Sequence, residues 1–158
     1  MVQVKEQVGD GGVSAPPGAD IAALRQVVAE AGQDGIDLKI VVIETNPPID
    51  TPLRDIATEV GSAYPGSTVL AVSPFYAGTY SPVYDRVTLE AGQDLAKTGD
   101  PVQSSKNFVA ELQTPDFPWM TFTILLVAGV AVAAVFTRIL QVRAKRAVAD
   151  EPPAAAFD

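Results

Sequence analysis

The 158-residue sequence contains neither cysteine nor histidine. Their absence excludes thiol nucleophiles, Ser–His and Cys–His pairs, zinc sites built from thiolate or imidazole, and any disulfide framework. The sequence also lacks the glycine-rich motifs of nucleotide-binding loops and the G-x-S-x-G motif of serine hydrolases. An enzyme built from this chain would therefore depend on paired carboxylates or on a metal held by oxygen ligands.

Basic residues are scarce before the C-terminal region. Seven of the 11 Lys and Arg residues and sixteen of the 19 Asp and Glu residues precede position 138, so that part of the chain has a formal charge of −9. Such a surface repels the phosphates of nucleic acids. We therefore expect neither a nucleic acid nor a nucleotide as a partner.

A long uncharged stretch lies near the C-terminus, at residues 117–137. A helix of that length measures about 30 Å, which matches the hydrocarbon core of a bilayer. We predict a transmembrane helix over 117–138, then a basic juxtamembrane segment and a disordered tail over 139–158. The predicted contacts with the lipid headgroups are Trp119 at one boundary and Arg138, Arg143, Lys145 and Arg146 at the other.

The charges that flank this segment predict its orientation. Cations follow it, whereas Glu111 and Asp116 precede it, and basic flanks favour the cytoplasmic side. We expect a single-pass plasma membrane protein with a cytoplasmic C-terminus and an extracytoplasmic N-terminal domain. Residues 1–6 lack the features of a signal peptide, so a tail-anchored protein with a cytoplasmic domain is the alternative. Gly129 and Ala133 form a small-xxx-small pair that suits a second helix.

About 100 residues precede the span, enough for one water-facing domain. The glycines and prolines of residues 1–18 predict a flexible leader, and residues 19–113 predict a compact α/β domain. Its predicted elements are a helix from Ile21 capped by Asp20, a central strand over 36–44, a helix capped by Thr51 and a strand over 67–72. These elements make a β-α-β unit with parallel strands.

The rest of the domain shows weaker patterns. The alternation of residues 80–90 predicts a strand nearer the sheet edge, and residues 93–97 predict a short helical turn. Asp100 and Pro101 predict the start of a last helix. The expected fold is thus a small α/β domain with a three- to four-stranded sheet and flanking helices, followed by one C-terminal transmembrane helix.

Polar residues follow both predicted parallel strands, where open α/β sheets bind their ligands. The candidate pocket consists of Glu44, Asn46 and Asp50 after the first strand and Ser73, Phe75 and Tyr76 after the second. Calcium or magnesium could be held by Asp50 with Asp85 and Glu90. Their spacing fits no calcium loop, and solvated acids and helix caps are the simpler interpretation. We therefore expect no cofactor.

Four aromatic residues, Phe75, Tyr76, Tyr80 and Tyr84, fall within ten positions. Exposed on a loop, such side chains suit a protein contact. They could equally close over the core. The sequence leaves both interpretations open.

Residues 10–16, 35–43, 46–57 and 97–103 together resemble an uncharacterised family of actinobacterial single-span membrane proteins. Members of that family look like reduced relatives of the TPM domain, a βαβ-type fold of envelope proteins, and tend to be encoded near peptidoglycan hydrolases. The TPM resemblance relies on the order of elements, on a strand ending at residues 86–90 and on Gly92. This chain departs from TPM proteins at residues 66–68, where they carry Asn-Gly, and in lacking a signal peptide.

The resemblance implies architecture and location more than chemistry. We expect a non-enzymatic, membrane-anchored accessory protein of the cell envelope, linked to the upkeep of the cell wall or of a membrane complex. Its expected partners are the lipid bilayer and a protein, reached through residues 75–84 or through the span. The alternative, implied by TPM relatives, is a weak divalent-metal-dependent phosphatase.

Overall fold

The computed structural model describes residues 1–115 and 119–149. The chain forms two compact units, Met1–Thr114 and Pro115–Asp158. The first unit is an α/β domain, and within its described residues the second consists of one helix. The elements are α1 (Val2–Gly9), β1 (Val13–Ser14), α2 (Ile21–Gln33), β2 (Leu38–Val42), α3 (Thr51–Ala63), β3 (Thr68–Val72), β4 (Ala77–Tyr80), α4 (Arg86–Leu95), α5 (Pro101–Leu112) and α6 (Trp119–Ala149).

The domain is built on a four-stranded sheet with the order β1-β2-β3-β4. Strands β1, β2 and β3 are parallel, and β4 runs antiparallel to β3. Leu38 pairs with Thr68 and Val42 with Val72, which confirms the predicted β-α-β unit and the central position of its first strand. Because both faces of β2 and β3 are covered, almost every side chain of these strands is buried.

Helices cover both faces of the sheet, so the domain has three layers. On one face α2, α4 and α5 pack over a core that includes Leu24, Ile40 and Phe108. On the other face α1 and α3 pack over a smaller core that includes Val8, Leu53 and Val60. Each covering helix buries an apolar stripe, and this burial holds the helix to the sheet.

The prediction of a flexible leader over residues 1–18 is wrong. Val2–Gly9 is a helix, and Val13–Ser14 is an edge strand of the sheet. Val8 is completely buried, and the Tyr64 hydroxyl donates to the carbonyl oxygen of Lys5 at 2.5 Å. The glycines that suggested disorder form the tight connection between the two elements, where Gly11 and Gly12 have φ angles of 135° and 78°. The folded domain therefore includes residues 1–18.

The prediction of a strand over residues 80–90 is also wrong. The edge strand is Ala77–Tyr80, and Arg86–Leu95 forms α4, which includes the predicted short turn at 93–97. Asp85 starts a helix instead of continuing a strand, because its carboxylate accepts the backbone N–H of Thr88 at 2.8 Å and so caps α4. This correction also removes one basis of the TPM resemblance, which relied on a strand at residues 86–90.

The predicted starts of the other helices are mostly confirmed. Asp20 accepts the backbone N–H of Ala23 at 2.9 Å, and Asp100 accepts those of Val102 and Gln103 at 2.8 and 2.9 Å. At α3 the prediction is one residue off, because Thr51 is the first helical residue and Asp50 occupies the cap position without a side-chain cap bond.

Helix α6 extends past the C-terminal end of the predicted span, because it covers Trp119–Ala149. Met120–Lys145 has a mean hydropathy of 2.3, which makes it long and apolar enough to cross a membrane. Residues 139–149, which include the predicted basic juxtamembrane segment, continue the same helix. The remainder of the predicted disordered tail, residues 150–158, lies outside the described residues.

Candidate functional site

The predicted pocket at the ends of β2 and β3 is only partly assembled. The Asn46 side-chain oxygen accepts the Ser73 hydroxyl at 3.0 Å and the backbone N–H of Phe75 at 2.8 Å. The Ser73 hydroxyl oxygen lies 3.3 Å from both the backbone nitrogen and the carbonyl oxygen of Tyr76. Asn46, Ser73 and Tyr76 thus come together, but their polar atoms are used to fix the turn between β3 and β4.

Glu44 and Asp50 do not join this network. Glu44 instead lines a shallow groove of about 560 Å³ on the β1 side of the sheet, together with residues of α1 and the segment Ala15, Pro16 and Pro17. Asp50 stands at the start of α3. The six residues of the predicted pocket therefore divide among three places: the turn after β3, the groove beside β1 and the start of α3.

The four aromatic residues take different positions. Tyr76 and Tyr80 are partly buried against the core beneath α3, and Tyr84 is partly buried against the opposite core. Phe75 alone among the four is largely exposed, with 72% of its surface accessible. For the three tyrosines the interpretation as core closure is confirmed, and Phe75 remains as the exposed aromatic side chain.

The candidate metal ligands Asp50, Asp85 and Glu90 are not brought together. Asp85 caps α4, and Glu90 forms ion pairs with Arg86 and Arg54. Within the described residues, no group of three or more acidic side chains is placed to hold a metal ion. The sequence prediction gathered these carboxylates on the assumption that residues 80–90 were a strand.

Two charged groups at the start of α4 have shifted pKa values. The backbone N–H of Thr88 hydrogen-bonds to the Asp85 carboxylate and lowers its pKa. The hydrogen bond from the Arg86 guanidinium to Glu90, reinforced by their opposite charges, raises the pKa of Arg86. Both shifts favour the ionised forms, so α4 begins with fixed charges at neutral pH.

A second pocket, missed by the sequence analysis, lies at the open edge of β4. It has a volume of about 280 Å³ and is lined by α3, β4, the following loop and α4. The Arg54 Nη2 and Arg86 Nε atoms lie 3.8 and 2.7 Å from the same Glu90 oxygen, so the ion pairs span the sheet edge. The four-residue spacing of Arg86 and Glu90 is a helical signal that points to this pair once the segment is assigned to a helix.

In α6 the predicted anchor residues Arg138, Arg143 and Lys145 are exposed, as are Gly129 and Ala133. The side chains of Trp119 and Arg146 lie outside the described part of the chain. No residue of the Met120–Lys145 window that defines the candidate span is buried. Its apolar surface is therefore available to lipid.

Comparison with known proteins places these features in a family. The family model described as "Membrane protein Rv1476" matches residues 1–151. The chain belongs to this family. A relative of that name from Mycobacterium tuberculosis (strain ATCC 25618 / H37Rv) is 55% identical over 160 residues, an alignment that covers 100% of this chain and 86% of the relative.

Membership in the Rv1476 family confirms the resemblance to an actinobacterial membrane protein family. It also agrees with the candidate span in α6, because the family and the relative are both described as membrane proteins. No solved structure matches the chain.

Proposed function

We propose that this member of the Rv1476 family is a membrane-anchored, non-enzymatic accessory protein whose domain binds a protein partner through Phe75. The observation that carries the proposal is an exposed aromatic side chain on a turn with a fixed backbone. The Asn46 side-chain oxygen accepts hydrogen bonds from the backbone N–H of Phe75 and from the Ser73 hydroxyl, while 72% of the Phe75 surface remains accessible.

A fixed turn lowers the entropic cost of binding. A flexible loop loses conformational freedom when a partner immobilises it, whereas the Phe75 turn is already held by side-chain hydrogen bonds to Asn46 and Ser73. An aromatic side chain then supplies a large apolar contact area, as at the centres of many protein interfaces. Ile49, which is 58% exposed, adds apolar surface on the loop after β2 that also contains Asn46.

The proposed location is the plasma membrane, with the domain outside the cytoplasm and the C-terminus inside. Its support is the charge distribution around the apolar segment, where Arg138, Arg143 and Lys145 follow and Glu111 precedes. A role in the upkeep of the cell wall or of a membrane complex rests on the resemblance to envelope proteins and on the TPM-like order of β2, α3 and β3. We keep it as part of the proposal.

Site-specific photo-crosslinking in living cells tests the partner surface. A photoreactive phenylalanine analogue is placed at Phe75, and the matched control carries it at Val87, which is 77% exposed on α4. We expect one discrete protein adduct at position 75 and none at position 87, because only the Phe75 turn faces a specific partner. When the analogue at position 75 is combined with Asn46→Ala, the yield of that adduct should fall several-fold, because the turn is no longer held.

Two results would contradict the partner proposal. Equal labelling at both positions would show random collisions, and an unchanged adduct in Asn46→Ala would show that the fixed turn is irrelevant. Either result would leave the membrane anchor unaffected, because α6 belongs to a different compact unit from the Phe75 turn.

The phosphatase alternative requires a divalent cation held by carboxylates such as Asp50 and Glu90. In its favour there is only the TPM resemblance, since Glu90 already pairs with two arginines. The discriminating measurement is the melting temperature of the domain with calcium or magnesium. An increase that disappears in Asp50→Asn and Glu90→Gln would favour the phosphatase, whereas no change with either ion would argue against it.

A further inference from the structure

The pocket at the β4 edge has a charge unlike that of the surrounding surface. Two guanidinium groups meet one carboxylate there, on a domain whose formal charge is strongly negative. Arg54 reaches the pocket from α3 and Arg86 from α4, so elements on opposite faces of the sheet supply the cations. Glu90 neutralises only one of them, which leaves a net positive lining.

The arginines retain most of their hydrogen-bonding capacity. A guanidinium has five N–H donors, and Arg86 uses its Nε–H for Glu90 at 2.7 Å. The Arg54 guanidinium lies 3.8 Å from the same oxygen, which is an ion-pair distance but too long for a hydrogen bond. Both side chains are partly exposed, with 44% and 80% of their surfaces accessible, so they are free to turn toward a ligand.

Gln93 provides an independent observation at the inner wall of the pocket. Its side chain is only 5% exposed, and the Thr79 hydroxyl donates to its Oε1 at 3.3 Å. Its amide nitrogen makes no hydrogen bond to a described residue, and it is not among buried atoms left without a partner, so it reaches the accessible surface of the pocket. The amide of Gln93 is therefore a hydrogen-bond donor presented to the cavity, where water or a ligand can accept it.

We propose that this pocket binds a small oxyanion, a phosphate or carboxylate group, between Arg54, Arg86 and the amide of Gln93. Donors outnumber acceptors in the lining, so the complementary ligand is rich in acceptor oxygens and carries negative charge. The volume of about 280 Å³ lies near the lower end, roughly 300 Å³, of pockets that hold small organic molecules. The site is separate from Phe75 and goes beyond the proposed protein contact.

A purely structural interpretation of the same residues makes different predictions. The ion pairs across β4 would then serve only to cover an open sheet edge. In that case removing Glu90 would weaken the domain, and no anion would affect its stability selectively. In the binding interpretation Glu90 competes with the ligand for both arginines, so Glu90→Gln should tighten anion binding.

The test uses the full chain in detergent micelles, titrated with sodium phosphate or sodium acetate at constant ionic strength in sodium chloride. The readouts are the melting temperature of the domain and the side-chain amide signal of Gln93 in glutamine-labelled NMR spectra. We expect phosphate or acetate, but not chloride, to raise the melting temperature and shift the Gln93 signal. The more effective anion identifies whether phosphate or carboxylate is the preferred group.

Three variants sharpen the test. Arg54→Gln should raise the dissociation constant about tenfold or more, because it removes a charge-assisted hydrogen-bond donor. Glu90→Gln should lower the dissociation constant. Lys106→Gln, which removes an exposed cation from α5, is the matched charge control and should leave the constant within about twofold.

The proposal fails if neither anion shifts the Gln93 signal beyond the effect of chloride. It fails equally if Arg54→Gln and Lys106→Gln weaken the response by the same factor, since the anion would then sense only the overall charge.

Discussion

Asp85 determines where α4 begins, and its charge contributes to that role. Its carboxylate accepts the Thr88 backbone N–H, and this bond lowers its pKa below the ordinary value of about 3.9. A group whose pKa is lower in the folded state stabilises that state at pH values above its unfolded pKa. The contribution is lost as the pH falls through the folded pKa.

We therefore expect Asp85→Asn to destabilise the domain at pH 7 and to have a progressively smaller effect as the pH falls below the unfolded pKa of about 3.9. Asparagine also caps helices, so the difference isolates the charge. Thermal unfolding followed by near-ultraviolet circular dichroism is suitable, because all four tyrosines lie in the domain. The parent chain and the variant should differ in melting temperature at pH 7, and their curves should converge below about pH 4. A constant difference at all pH values would show that the charge has no role.

Single residues of the candidate sites differed in how well the sequence predicted them. Asn46 and Ser73 lie together as predicted because the ends of neighbouring parallel strands meet at one edge of the sheet, but their polar atoms fix a turn. Gln93 was missed because its burial depends on α4, α5 and β4 packing together, which no local pattern shows. Phe75 was identified as a possible contact, but only the structure separates it from the three tyrosines that close over the cores.

At the scale of elements, the predictions succeeded where local and tertiary signals agreed. The strands β2 and β3 are rich in β-branched residues and bounded by turns, and α2 and α5 begin at aspartate caps. The prediction of α4 failed because an alternating apolar pattern of only a few residues fits a strand or a helix. The prediction of a leader failed because α1 is only 8 residues long and is stabilised by contacts with distant elements.

The integration of α1 into the domain leads to a mutational prediction. Val8 is fully buried, whereas Val2 on the same helix is 75% exposed. Val8→Ala should lower the free energy of unfolding by about 2 kcal/mol through lost burial and a residual cavity. Val2→Ala, the matched control, should change it by less than about 0.5 kcal/mol.

Hydrogen exchange of the β2 and β3 amides measures this difference, because central strands open only in global unfolding. A loss of about 2 kcal/mol corresponds to exchange about thirty-fold faster. If Val8→Ala and Val2→Ala exchanged at the same rate, α1 would not be part of the folded core.

At the scale of the whole molecule, the chain joins an acidic domain to an apolar helix with a basic end. The domain is suited to water, whereas the helix is suited to lipid. The domain buries its apolar side chains in two cores of its own, whereas the span window of α6 has none of its residues buried. A helix with this composition is stable in lipid, where its backbone groups are paired internally. The sequence predicted this division, although not its bounds, because an uncharged run of this length needs no tertiary context to be recognised.

The orientation of the chain gives the last prediction. The absence of cysteine means that a single introduced cysteine can be labelled without background. Val2→Cys places a thiol on the exposed face of α1, and Ala144→Cys places one on the exposed basic end of α6. Because positive charge favours the cytoplasmic side, a membrane-impermeant maleimide should label position 2 in intact spheroplasts and position 144 only after lysis. The reverse pattern would place the domain in the cytoplasm and direct the search for its partner there.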